Sequence, residues 1–200
     1  MSENFEKGEL VDQELVNLAL MGDERAFEKL VEKYKKRVYY LAYRMTRDHD
    51  SADELAQESF VKAYQALGHF KTGYNFYTWL YRICVNLSIN FLKREKRTVS
   101  SDLLREMDLM PDGSAGIDQL ERMIAREQAG IVKRTLDTLP PEQKSAFILK
   151  TYDNMSYEQM SEVMECSIGT VMSRLFRARQ KLRKALQAAE TERDSFDERM

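Results

Sequence analysis

The chain has 200 residues, 31 Lys+Arg against 33 Asp+Glu, a net charge of −2 and a 43 % hydrophobic fraction, enough for a core and too much for a wholly disordered chain. With three Pro and eight Gly it leans to an all-α fold of one medium domain or two small ones. Cys84 and Cys166 have no CxxC motif and no nearby His, no run approaches the ~18 apolar residues of a membrane span, and the acidic start lacks a signal-peptide pattern. The expectation is a cytoplasmic protein with no disulfide framework, no metal, no cofactor and no membrane insertion.

From Ala26 to Met45 the apolar residues Phe27, Leu30, Val31, Tyr34, Val38, Leu41, Ala42 and Met45 keep the three-four spacing of an amphipathic helix. Ser51 and Glu54 predict a capping box that opens a second helix, running to Leu67. Its apolar side is Ala52, Leu55, Phe60, Ala63, Tyr64 and Leu67, and its other side carries Asp53, Glu54, Gln57, Glu58 and Lys62. Gly68 and the stretch 71–73 break the pattern before a third helix over about 75–97. These helices predict a first domain over 10–97.

From 98 to 116 periodicity fails and Ser, Pro, Asp and Gly accumulate, which predicts a flexible linker. Helices follow at 117–139 and 141–151, separated by Pro140 and Pro141. A second box, Ser156 with Gln159, opens a short helix to about Met164, and a tight turn at 165–167 leads into a long helix over 168–188. The last pair has the dimensions of a helix-turn-helix. The second domain is thus expected over 117–188, with an acidic tail over 189–200.

Charge is unevenly placed. Residues 1–32 hold three bases and nine acids, residues 59–97 seven bases and one acid, and residues 168–186 six bases and no acid. Two basic blocks on an otherwise acidic chain point to two contacts with a polyanion; plain solvated helix faces are the alternative.

In the last helix, Val171, Leu175, Ala178, Leu182 and Leu186 form an inward stripe, and Ser173, Phe176, Arg177, Gln180 and Lys184 lie opposite. An outward Phe beside Arg suits a major groove, where Phe meets a thymine methyl and Arg forks onto guanine. Arg174, Arg179, Lys181 and Arg183 flank that face and suit phosphates. In the 75–97 helix the inner stripe is Phe76, Leu80, Ile83, Cys84, Leu87 and Phe91. Thr78, Trp79, Arg82, Asn86, Asn90, Lys93 and Arg97 lie on the opposite face. Tyr74, Phe76, Tyr77, Trp79 and Tyr81 put five aromatics in eight residues. Aromatics interleaved with Arg, Lys and Asn are what a single nucleic-acid strand requires, although ordinary aromatic core explains part of the set. No Gly-rich phosphate loop and no Ser/His/Asp grouping supports an enzyme.

The stretch from Asp53 to Tyr64 (DELAQESFVKAY) and that from Phe76 to Asn86 (FYTWLYRICVN) resemble region 2 of bacterial extracytoplasmic-function sigma factors. Leu139-Pro140, the Ser156–Gln159 box and the run Gly169–Arg179 (GTVMSRLFRAR) resemble region 4, with the sigma-E-like group the nearest match. The resemblance spans about 12–187. It implies a non-enzymatic factor that binds core RNA polymerase, through the clamp helices and flap of its large subunits, and opens promoters of a stress or envelope regulon. It implies an anti-sigma factor as a partner and association with the nucleoid in the holoenzyme. Asp53, Glu54, Gln57 and Glu58 then face the clamp. Phe70, Lys71, Tyr74, Asn75, Tyr77, Thr78, Trp79, Arg82, Asn86, Asn90 and Lys93 meet the melted −10 strand, with the 70–77 loop capturing a flipped base. Thr170, Ser173, Arg174, Phe176, Arg177, Arg179 and Lys181 meet the −35 duplex, and the linker threads through the polymerase. Met172 stands where relatives usually carry Arg or Lys, and Ser167 where Pro is frequent. A conventional helix-turn-helix regulator is the alternative, but it leaves the acidic helix and Trp79 without a role.

Overall fold

The computed structural model describes residues 12–71, 75–98 and 119–197, and every regular element among them is helical. A short helix α1 spans 12–20, followed by α2 (Glu24–Thr46), α3 (His49–Gln65), a 3-10 turn (Leu67–His69) and α4 (Phe76–Thr98). The second group is α5 (Gln119–Asp137), α6 (Pro141–Thr151), α7 (Tyr157–Val163) and α8 (Ile168–Asp197).

Local chemistry sets the helix ends. Asp23 caps α2 by accepting the Arg25 N–H, and Arg47 closes it in the left-handed region at φ 62°. The start of α3 differs from expectation. Asp48, not Ser51, is its N-cap, and its carboxylate accepts both the Ser51 N–H (2.9 Å) and the Ser51 hydroxyl (2.5 Å). Asp accepts as well as Ser at such a position and begins the helix a turn earlier. The box at Ser156 and Gln159 is present with both reciprocal bonds. Pro141 sits at the start of α6, where its missing N–H costs nothing.

Helix α1 was not evident from periodicity, being short. It is tied down by Asp12, whose carboxylate takes the Lys33 ammonium at 2.5 Å and the Tyr34 hydroxyl. At the other end α8 runs on to Asp197, nine residues past the expected boundary, because no Gly or Pro interrupts the chain there. The expected linker beyond Thr98 and the first two residues of the expected 117–139 helix lie outside the described residues.

In the first unit α2, α3 and α4 pack together around Leu30, Val38, Leu41, Ala52, Leu55, Ala63, Leu80 and Cys84. In the second, α8 packs on α5 and α6 through Leu136, Leu139, Ala178 and Leu182. The two units are not separate bodies. Ile148, Leu149, Met155, Met160 and Val163 continue the same buried cluster as Leu80, Tyr81 and Val85, so α4 lies between the units.

Candidate nucleic-acid interface

Helix α4 is buried on two sides, which is the main difference from its sequence-predicted faces. Phe76, Leu80 and Cys84 point to α2 and α3, while Tyr77, Tyr81, Val85 and Ser88 are also buried. Thr78, expected outside, is only 4 % exposed, and its hydroxyl has no hydrogen-bond partner. A helix covered by a second unit carries a wider buried arc than a one-sided amphipathic helix.

Between these buried arcs a pocket of about 280 Å³ remains, lined by His69, Phe70, Lys71, Asn75, Thr78, Trp79, Arg82 and Glu162. Asn75 caps α4 by accepting the Thr78 N–H at 3.2 Å, which fixes both residues at the pocket. Trp79 is half-buried, not fully outward. Its ring lies 5.1 Å from Phe70 and 5.7 Å from Phe76, in tilted contact with both. An aromatic wall, two cations, an amide and a spare hydroxyl in one concave site fit a nucleobase with its phosphate.

Six of the eleven residues expected at the melted strand therefore meet here. The others do not. Tyr77 is buried on the far side of α4, its ring 5.7 Å from Tyr34 and 4.1 Å from Tyr81, and burial pushes its hydroxyl up to about 12. Asn86 and Lys93 lie further along α4, bonded to Glu165 (3.3 Å) and Glu142 (2.6 Å), and Asn90 is exposed. Tyr74 lies outside the described residues.

On α8 four residues of the expected inward stripe, Val171, Leu175, Ala178 and Leu182, are buried, and the fifth, Leu186, is half-buried. Phe176 is 64 % exposed and Met172 51 %, with Ser173, Arg177, Gln180 and Lys184 exposed beside them. Ser167 caps the start of α8, accepting the Thr170 N–H at 3.2 Å. Thr170 also shares a hydroxyl contact with Ser167 at 3.0 Å. Two of the flanking cations are partly engaged: Arg174 donates to the Cys166 sulfur at 3.4 Å and Lys181 to the Thr138 carbonyl at 3.0 Å. Arg179 and Arg183 are exposed.

The acidic face of α3 is open. Asp53, Glu54, Gln57 and Glu58 are all exposed; Gln57 donates to Asp53 at 2.8 Å and Glu58 pairs with Lys62 at 3.4 Å. Asp53 and Gln57 form one edge of a groove of about 390 Å³ whose floor is Val31, Tyr39, Tyr40, Ala56 and Phe60. The apolar floor of this groove was not read from the sequence, because it combines residues of two helices. Among the described residues no group of His, Cys, Asp and Glu side chains is placed to hold a metal ion, and no helix is long and apolar enough to cross a membrane.

Comparison with known proteins assigns the two halves of the chain to families. Residues 30–98 match the sigma-70 region 2 family and residues 129–182 the sigma-70 region 4 family. The chain is 40 % identical to the RNA polymerase sigma-H factor of Pseudomonas aeruginosa over 181 residues, covering 88 % of this chain and 94 % of that one. It is 41 % identical over 177 residues to the ECF RNA polymerase sigma-E factor of Escherichia coli, covering 86 % and 92 %. Two solved structures are similar at 25 % identity. CnrH in complex with the cytosolic domain of CnrY matches with a TM-score of 0.65 over 89 % of this chain and 98 % of that one. The sigma factor RpoE in complex with the anti-sigma factor NepR from Bartonella quintana matches with a TM-score of 0.62 over 80 % and 96 %. A conventional helix-turn-helix regulator does not account for a complete region 2 ahead of region 4. The chain belongs to the sigma-70 family as an extracytoplasmic-function sigma factor, a non-enzymatic initiation factor that acts with RNA polymerase in the cytoplasm and directs it to promoters.

Proposed function

We propose that the three surfaces divide the work of initiation. The α3 face with Asp53, Glu54, Gln57 and Glu58 docks the polymerase clamp helices, the apolar groove beside it receiving their side chains. The pocket at Phe70, Lys71, Asn75, Thr78, Trp79 and Arg82 takes one unstacked base of the −10 strand, with the flanking phosphate on Lys71 and Arg82. Asn86, Asn90 and Lys93 continue the strand's path along α4. Ser173, Phe176 and Arg177 read −35 base edges, while Thr170, Arg174, Arg179 and Lys181 hold phosphates or the polymerase flap.

The observation that carries this reading is the Trp79 pocket. Unstacking a base costs a few kcal/mol, and an aromatic platform beside cations and a buried hydroxyl without a partner can offset that cost. The working units are a region 2 domain over 10–97, a linker over 98–116 threading the polymerase, a region 4 domain over 117–188 and an acidic tail over 189–200. The holoenzyme is nucleoid-associated and serves a stress or envelope regulon. An anti-sigma factor restrains it, a reading supported by the similar structure solved with such a partner.

The decisive experiment is reconstitution with core RNA polymerase on a promoter library, reading transcripts. Transcription from a restricted promoter set, absent without the protein, is the expected result. Duplex promoter binding by the free chain without holoenzyme formation would overturn the proposal.

A further inference from the structure

The first unit carries a third basic block, on α2. Residues 33–47 hold six bases and no acid. Arg37, Tyr40 and Arg44 share one arc of the helix about 60° wide, at about 100° per residue, and Arg47 follows at the helix end. Each of these guanidiniums rests on aromatic rings. Arg37 lies 5.6 Å from the Tyr77 ring, Arg44 lies 4.5 Å from Tyr152 and 5.7 Å from Tyr40, and Arg47 lies 6.0 Å from Tyr43. Among the described residues none of the three makes an ion pair or a side-chain hydrogen bond. Arg37 is exposed and the other two are half-exposed. Arg37 and Arg44 share a pocket of about 350 Å³ with Asp153, whose Oδ1 is taken by the Tyr81 hydroxyl at 3.0 Å.

We propose that Arg37, Arg44 and Arg47 form a further contact with promoter DNA, to the phosphate backbone of its duplex and without reading any base. The contact is separate from the Trp79 pocket: Tyr77, beneath Arg37, is on the far side of α4 from it. It does not depend on which residues read the −10 and −35 elements.

Charge, ring occupancy and reach select this occupant. Guanidinium groups fork onto phosphate oxygens, and here their donors are not used by carboxylates. Lys133 of α5 adds to the field: burial, and then the charge of Arg47, hold its ammonium below the usual range. Against these cations stands the single carboxylate of Asp153 in the shared pocket. From Arg37 to Arg47 the helix advances about 15 Å at 1.5 Å per residue, over which one strand of a duplex presents about four phosphates. A single strand would seek open aromatic faces for its bases, but the two exposed rings, Tyr40 and Tyr152, both carry Arg44. A protein partner would have to bury three cations at the centre of its interface, where charge is depleted. Duplex backbone asks only for cations at the surface.

The test uses holoenzyme reconstituted from the full chain and core polymerase. Its affinity for a promoter duplex is measured over a range of salt, at a temperature that keeps the duplex closed. The variants are Arg37→Gln/Arg44→Gln/Arg47→Gln and the charge-keeping Arg37→Lys/Arg44→Lys/Arg47→Lys. A phosphate contact contributes about one unit of salt slope, so the Gln variant is expected to lose about three units. The loss should be the same on promoters with different −10 and −35 letters, and the Lys variant should keep the wild-type slope. Affinity for core polymerase and for an isolated −10 single strand should match the wild type. An unchanged duplex slope in the Gln variant would overturn the proposal. So would weaker core binding with an unchanged slope, which makes the arc a polymerase surface, and so would a loss confined to the single strand. If the triple variant fails to fold, the exposed Arg37→Gln alone decides, with a loss of about one unit expected and an unchanged slope overturning the proposal.

Discussion

Trp79 touches Phe70 and Phe76 and still opens onto a pocket, so its removal carries two costs that can be separated. Stacking on an aromatic is worth ~1–3 kcal/mol per base, so Trp79→Ala is expected to slow open-complex formation roughly ten- to hundredfold. A pre-melted template should restore much of that loss, and Trp79→Phe should retain most of the packing and part of the stacking. Equal defects on closed and pre-melted templates would make Trp79 a packing residue. On α8 the exposed Phe176, Met172 and Arg177 make a different residue-level prediction. A base-edge contact is worth ~1–3 kcal/mol of discrimination, so Arg177→Ala should flatten preference at one −35 position. Arg179→Ala should weaken all promoters alike and lower the salt slope by about one unit. Met172 cannot fork onto guanine, so Met172→Arg should change the preferred letter without changing helix content. Transcription of a randomised −35 library by each holoenzyme reads all three substitutions. Uniform loss with Arg177→Ala and altered letters with Arg179→Ala would mean that α8 is rotated from this assignment.

At the scale of elements, α3 presents its acidic face free of tertiary partners, and charge reversal at Asp53 and Glu58 should leave the melting temperature nearly unchanged. The same double variant should bind core polymerase more weakly, and unchanged affinity in a pull-down or titration would remove this surface from the interface. Asp48→Ala should behave in the opposite way, costing about 1 kcal/mol of stability as a lost cap while core affinity per folded molecule stays constant. These elements also show what a single sequence makes legible. The α8 stripe was readable because its buried and exposed arcs follow one helical period, and the Ser156 box because its partners are local. The start of α3 was misplaced since Asp48 and Ser51 are both good caps and only tertiary placement chooses between them. Thr78 is expected exposed and is buried, though still in the Trp79 pocket, and Tyr77 is turned away from that pocket, because the second unit buries an additional arc of α4, a contact no local period encodes. The acids that meet Arg82, Asn86 and Lys93 are distant in sequence and were legible only as a scatter of Glu residues.

For the whole molecule, the joint between the units contains a carboxylate in an unfavourable place. Asp153 is half-buried, one of its oxygens is buried without a partner, and burial raises its carboxyl above the usual range despite the Tyr81 hydrogen bond and the nearby Arg44 and Arg37. A raised value in the folded chain means that the folded chain binds the extra proton. Packing of the joint is therefore favoured at acid pH and weakens as pH rises from the ordinary carboxylate range through the raised value. Glu142 has the opposite sign. Burial alone would raise its carboxyl, but the bond and charge of Lys93 outweigh it and hold it below the usual range, so that link fails only as pH falls through the lowered value. Between the two, the stability advantage of the wild type over Asp153→Asn in denaturant titrations should shrink with rising pH. A pH-independent difference between the two proteins would show that Asp153 does not titrate with the packing of this joint.

The two thiols sit on either side of that joint and differ in access. Cys84 is completely buried between α4 and α2, its sulfur 3.8 Å from the Val38 carbonyl, and burial pushes its thiol up to about 12. Cys166 is half-buried in the turn ahead of α8. Thiolates react and thiols do not, so the native chain carries a built-in clock with two hands. Alkylation of Cys166 follows exposure of the turn, while alkylation of Cys84 waits for the first unit to come apart. Timing both in one sample, with and without polymerase, separates a molecule that has opened from one that has unfolded.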